Sequence, residues 1–143
     1  MMTPLDKNTV YGHLKEMEAS LVYLHSKKGI EEKSLIANIE ERFAVERAFH
    51  LAIQNLIDIG GHILASLNIN NVETYADIPA RLAEVGILPD KLAKKLANMA
   101  RFRNILVHEY IKVESRKLVS FLKNNLNDFD AFARAILKYL KKI

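Results

Sequence analysis

The sequence predicts an all-α fold, an up-and-down bundle of four to five helices. Three observations carry this expectation. Apolar residues recur three and four apart through most of the chain, the period of one helix face. Half of the 143 residues are apolar, with Leu, Ile and Ala frequent and only five Gly and three Pro to interrupt them, a balance that favours helices over strands. The joints between apolar stretches are short, as expected for antiparallel neighbours.

The first helix is read from Val10, Leu14, Met17, Leu21 and Leu24, one stripe capped by Asn8 or Thr9. Lys27, Lys28 and Gly29 close it, with cations at the negative end of the helix dipole. A second helix is expected from about Ser34 to Ser66, roughly 50 Å long at 1.5 Å per residue. It carries two apolar stripes: Val45, Phe49, Ala52, Leu56, Ile59 and Ile63 form one, and Ile53, Ile57 and Leu64 belong to another. Such a helix is either central in the bundle or shared with a second subunit. Gly60 and Gly61 would bend it or admit a neighbour closely. A short third helix contains Pro79 in its first turn and stops at Gly86. A fourth runs from near Pro89 into RFRNILVHEY, and a last from about Glu114 to Lys142. No internal repeat or linker breaks the chain, so residues 1–143 are expected to form a single domain.

Composition narrows the function classes. There is no cysteine, hence no disulfide framework and no thiolate metal site. No apolar run reaches the ~20 residues of a membrane span, and MMTPLDKNTV has no signal-peptide core. A cytoplasmic protein without a membrane role is expected. A net charge of +4, from 21 Lys plus Arg against 17 Asp plus Glu, permits a polyanionic partner without requiring one. Zinc-protease, phosphate-loop, dinucleotide and serine-hydrolase signatures are absent from the sequence. His50 with Gln54, and Asp58 with His62, stand four apart and are read as polar helix faces rather than metal sites. No metal or other cofactor is expected.

The fourth helix poses the chemical question. Its seam is Leu92, Leu96, Met99, Arg103, Leu106 and Tyr110, so a guanidinium stands where a large apolar residue belongs. It cannot shed its charge, and burying it alone is very costly. Either a carboxylate pairs with it, with Glu40, Glu41 and Glu46 as candidates, or it borders a cleft that takes an anion. His108, five residues on, falls about 140° away on an ideal helix, with Asn104 and Arg101 on its face. Arg103 and His108 converge only if the helix ends or distorts near His108, or if two copies meet. Lys91, Lys94, Lys95 and Arg101 form a basic outer arc that borders His108 and is able to guide a phosphate backbone toward it. An imidazole moves protons near neutrality, and a fixed guanidinium neutralises a phosphoryl oxygen. Together they would let a ribose 2′-hydroxyl attack its own phosphodiester without a metal.

The pattern Arg103-Asn104-x-x-x-His108-x-Tyr110 resembles the signature of the HEPN superfamily, and its fuller form resembles the HepT toxin branch. ERAFHLAIQNLIDIGGHIL and LAKKLANMARFRN are similar to the flanks of that motif, and the similarity runs in order over residues 42–137. The resemblance implies a homodimer with both motifs lining one cleft. It implies a metal-independent endoribonuclease acting as the toxin of a toxin–antitoxin pair. The implied partner is a minimal nucleotidyltransferase that silences the toxin by adding AMP to the motif tyrosine. Arg103 and His108 would be catalytic, Asn104 would support them, and Tyr110 would receive AMP. The alternative is a non-catalytic, nucleotide- or protein-binding partner of such a transferase. A purely structural helical dimer is a third reading.

Overall fold

The computed structural model describes residues 4–108 and 113–143. Among them are seven helices: α1 Lys7–Ser26, α2 Glu32–Ala37, α3 Ile39–Ser66, α4 Asp77–Glu84, α5 Asp90–Val107, α6 Ser115–Asn124 and α7 Leu126–Lys142. The all-helical class is as expected. The number is higher because two expected helices are each broken at an asparagine.

Asn38 takes an extended backbone (φ −119°, ψ 96°) between α2 and α3, and its side chain accepts from the Glu41 backbone N–H. It therefore ends one helix and caps the next, a role its short amide fills better than a helix interior does. Ser34, the expected cap, lies inside α2. Asn125 (φ −123°, ψ −1°) breaks the last segment between α6 and α7, and its Nδ2 donates to Asp128. At α1 the cap is Asp6, which accepts from the N–H groups of Asn8 and Thr9, rather than either of those residues. The Thr9 side chain first, and those two N–H groups with it, hold the Asp6 carboxyl below its ordinary pKa.

α3 is the axis, packing against each of the other six described helices. Both of its apolar stripes are buried, including Ile53, Ile57 and Leu64. The helix is thus central, and its second stripe is covered by this chain's own helices without a second subunit. Gly60 has a specific task here, since a Cβ on it would clash with Cγ2 of Ile78. That close approach seats α4 on α3. Gly61 has open space instead, and α3 runs unbroken through both. Gly86, at φ +82°, ends α4 in a conformation that glycine adopts without strain.

α5 is anchored by Phe102. Its ring lies 4.6 Å from Phe121 of α6 and 6.3 Å from Phe49 of α3, centroid to centroid, the second contact edge-on. These aromatic contacts set the rotation of α5. Arg103, the next residue, is thereby turned toward α3.

Candidate active site at the end of α5

Arg103 is half-buried on the seam of α5, and its partners are neutral. Its Nε–H donates to Gln54 Oε1 at 2.8 Å. Its guanidinium carbon stands 4.8 Å from the centre of the Tyr75 ring, within cation–π range. Gln54 is held in turn, donating from Nε2 to Asp58 Oδ1 at 3.0 Å. That second bond fixes which end of the amide faces the guanidinium. The ion pairs of the described residues do not include Arg103. Glu46, one of the three carboxylates offered as its partner, contacts Arg42 at 3.4 Å instead. The reason is local: Arg42 stands one turn away on the same face of α3. Burial raises the Glu46 pKa, and Arg42 opposes the shift.

Tyr75 reaches Arg103 through the seating of α4. Gly60 admits Ile78, and the Ile78 N–H donates to the Tyr75 carbonyl at 3.2 Å, so the tyrosine is carried to the middle of α3. Asp77 ties the same turn together, accepting from the N–H groups of Glu73 and Thr74. The second surrounding residue is His50, one turn before Gln54 on α3. Arg47 Nη1 lies 2.9 Å from its Nδ1; a guanidinium can only donate, so Nδ1 accepts. The His50 pKa is lowered by burial first, then by the charges of Arg47 and Arg103.

The helix ends where convergence requires it. α5 stops at Val107, and His108 takes an extended backbone (φ −87°, ψ 109°). The 140° separation of an ideal helix therefore no longer governs His108, which is exposed at the cap. Asn104 is exposed on the last turn. Arg103, Asn104 and His108 thus share one end of α5, while Tyr110 lies outside the described residues.

The basic arc is a separate feature. Lys91, Lys94 and Lys95 lie in the first turns of α5, roughly 12–18 Å along its axis from Arg103. Lys95 stands 3.8 Å from Asp128 of α7. Arg101 is exposed and donates to Asn98 at 2.8 Å. The three lysines thus lie at the opposite end of α5 from His108, and Arg101 alone of the four is in the last two turns.

Sequence reading missed Gln54, His50 and Tyr75 as neighbours of Arg103. A signal for the first two existed. His50, Gln54 and Asp58 form a polar ridge with a repeat of four, all half-buried among the apolar stripes of α3. Tyr75, in a connector, carries no such mark.

The site and bundle define a helical protein that holds an oriented arginine at the end of one helix and a histidine at its cap. The sequence model of the family described as "Ribonuclease HepT-like" matches residues 10–136, and the chain belongs to that family. It is 27% identical over 139 residues to a tRNA nuclease HepT of Aphanizomenon flos-aquae, covering 97% of this chain and 95% of that one. In fold it is similar to Bacillus subtilis YutE, a cytosolic protein of unknown function (TM-score 0.83, 22% identity, 99% and 94% of the two chains covered). It is also similar to a tri-AMPylated Shewanella oneidensis HEPN toxin solved in complex with its MNT antitoxin (TM-score 0.80, 19% identity, 90% and 96% covered). None of the helices formed by the described residues is long and apolar enough to cross a membrane.

Proposed function

We propose that this chain is a metal-independent endoribonuclease and the toxin of a toxin–antitoxin pair. Its acting unit would be a single domain spanning residues 1–143, paired as a homodimer in the cytoplasm. The observation that carries the reading is the half-buried Arg103, oriented by an amide and an aromatic ring while its charge is left without a described carboxylate. Only Nε–H is committed to Gln54; the donors on Nη1 and Nη2 can grip two oxygens of a phosphodiester.

Catalysis then needs a proton carrier, and His108 supplies it. The ribose 2′-hydroxyl oxygen attacks phosphorus as its proton passes to an imidazole. The bond from phosphorus to the 5′-oxygen breaks, and that oxygen takes a proton from an imidazolium. Arg103 holds the charge that builds on the phosphoryl oxygens. Asn104 positions the substrate beside them. Two motifs facing one another in the homodimer would give the cleft one imidazole for each proton transfer.

The relative named a tRNA nuclease supports RNA as the substrate. The structure with an AMP-bearing toxin and its MNT antitoxin supports a minimal nucleotidyltransferase as the partner. Tyr110 is then the acceptor, and AMP attached there would set phosphate against Arg103 and close the path to RNA. Lys91, Lys94 and Arg101, and less directly Lys95, would attract the strand at longer range.

The test is RNA cleavage by the purified protein in EDTA. Wild type cleaves, and His108→Ala loses cleavage at least ~100-fold, in the range of general acid–base contributions, with its helical circular dichroism unchanged. Cleavage by His108→Ala at the wild-type rate refutes the mechanism. A wild-type protein that binds nucleotide without cleaving RNA establishes the non-catalytic alternative.

A further inference from the structure

We propose that Arg47 and His50 form a second phosphate subsite on α3, beside Arg103, that takes the phosphodiester neighbouring the scissile one. The inference rests on the ribonuclease reading of Arg103 and narrows its substrate to a strand with at least two consecutive phosphates.

Three observations support the subsite. Arg47 is exposed, yet its guanidinium is tethered, with Nη1 donating to His50 Nδ1 at 2.9 Å. A tethered guanidinium loses less freedom when it binds an anion than a waving one. Arg47, like Arg103, is missing from the ion pairs of the described residues, so no described carboxylate competes for it. Finally, the charges of both arginines act on the same imidazole. Their fields overlap at His50, and an anion placed there is attracted by both.

The layout suits a strand. Arg47, His50 and Gln54 follow one another along a single face of α3, at positions i, i+3 and i+7, which spans roughly 10 Å. Gln54 marks the Arg103 end of this run and Arg47 the open end. Asp58, the acidic member of the ridge, accepts from Gln54 Nε2. It lies beyond Gln54, about 16 Å of helix axis from Arg47. A mononucleotide can satisfy only one end of such a face, whereas an oligonucleotide satisfies both.

The experiment uses 2′-deoxy trinucleotides, which lack the attacking hydroxyl and carry two phosphates. In matched probes one linkage or the other is a neutral methylphosphonate, so the bases stay the same. Wild type is expected to bind the doubly charged trimer about tenfold more tightly than the tighter of the two singly charged ones. Arg47→Gln should erase that advantage and reduce the slope of log affinity against log salt by about 0.7, the value for one lost phosphate contact on a single strand. His50→Gln should have a smaller effect in the same direction. On cleavable RNA, Arg47→Gln should raise KM and leave kcat in place. Equal binding of the charged and half-neutral trimers by wild type, or wild-type binding by Arg47→Gln, overturns the subsite. The two proposals fail separately. Arg47-dependent binding without RNA cleavage keeps the subsite and removes the nuclease, and cleavage indifferent to Arg47 does the reverse.

Discussion

Two half-buried arginines meet the side chains of α3, and they are treated in opposite ways. Arg42, on the first turns of the helix, meets Glu46, with both side chains about four-fifths buried (20% and 19% exposed). Arg103, reaching α3 from α5, meets the neutral amide of Gln54 and the face of Tyr75. The first charge is cancelled where it stands. The second is oriented but not cancelled, which leaves its field for something that arrives from outside. A bundle that needed only to bury Arg103 would have gained more from a carboxylate at position 54. The Arg42 pair is itself loosely made: Arg42 Nε and Glu46 Oε2 are buried without a hydrogen-bond partner despite their contact, so charge more than alignment holds them together.

The sharpest way to break this contrast is to give Arg103 the partner that Arg42 has. Gln54→Glu should form an ion pair with the guanidinium and slow RNA cleavage about tenfold to a hundredfold, because a phosphate must then displace a carboxylate. Gln54→Leu removes the same hydrogen bond without adding charge and should cost less activity. Equal rates in the two variants, or a wild-type rate in Gln54→Glu, would show that the unneutralised charge is not what matters. The reverse manipulation acts on stability. Arg42→Ala strands Glu46 and should lower stability by about 1–3 kcal/mol, between the values for exposed and buried pairs, as read by chemical denaturation. RNA cleavage by the remaining folded protein should be unchanged.

The smallest effects lie in the pH dependence, where the two regions carry opposite signs. His50 has a lowered pKa, so between that value and its ordinary 6.5 the unfolded chain binds more protons than the folded one. Stability contributed there rises with pH and is lost as pH falls through the window. Glu46 has a raised pKa, so above its ordinary 4.5 the folded chain holds the extra proton and stability falls as pH rises toward the folded value. His50→Gln should flatten the first slope and Glu46→Gln the second, measured as melting temperature against pH. A single variant that flattened both would mean the regions are coupled rather than distinct.

Much of the bundle could be read from the sequence, because the three-and-four spacing of Val45, Phe49, Ala52, Leu56, Ile59 and Ile63 follows directly from the geometry of a buried helix. The breaks at Asn38 and Asn125 were hidden. An asparagine inside a periodic run looks like a tolerated polar residue until its side chain is seen to make a cap or turn contact. Arg103 was conspicuous because it interrupts an apolar seam. Its partner was not, since Gln54 lies 49 residues away and only the packing of α5 on α3 joins them. Glu46, one of the three candidate carboxylates, had the right charge. It was claimed by Arg42, a neighbour on its own helix. Nothing in the spacing could place Tyr75, because its position follows from Gly60 admitting Ile78, a contact between two separate helices.

The most direct test removes the same charge from the two places and measures RNA cleavage in EDTA. Arg103→Ala should lose at least about 100-fold in rate, the scale of losing one preorganised contact to a developing oxyanion, while Arg42→Ala keeps the wild-type rate. Two variants that cleave equally well would contradict the account, because Arg103 would then be no more than another arginine in the bundle.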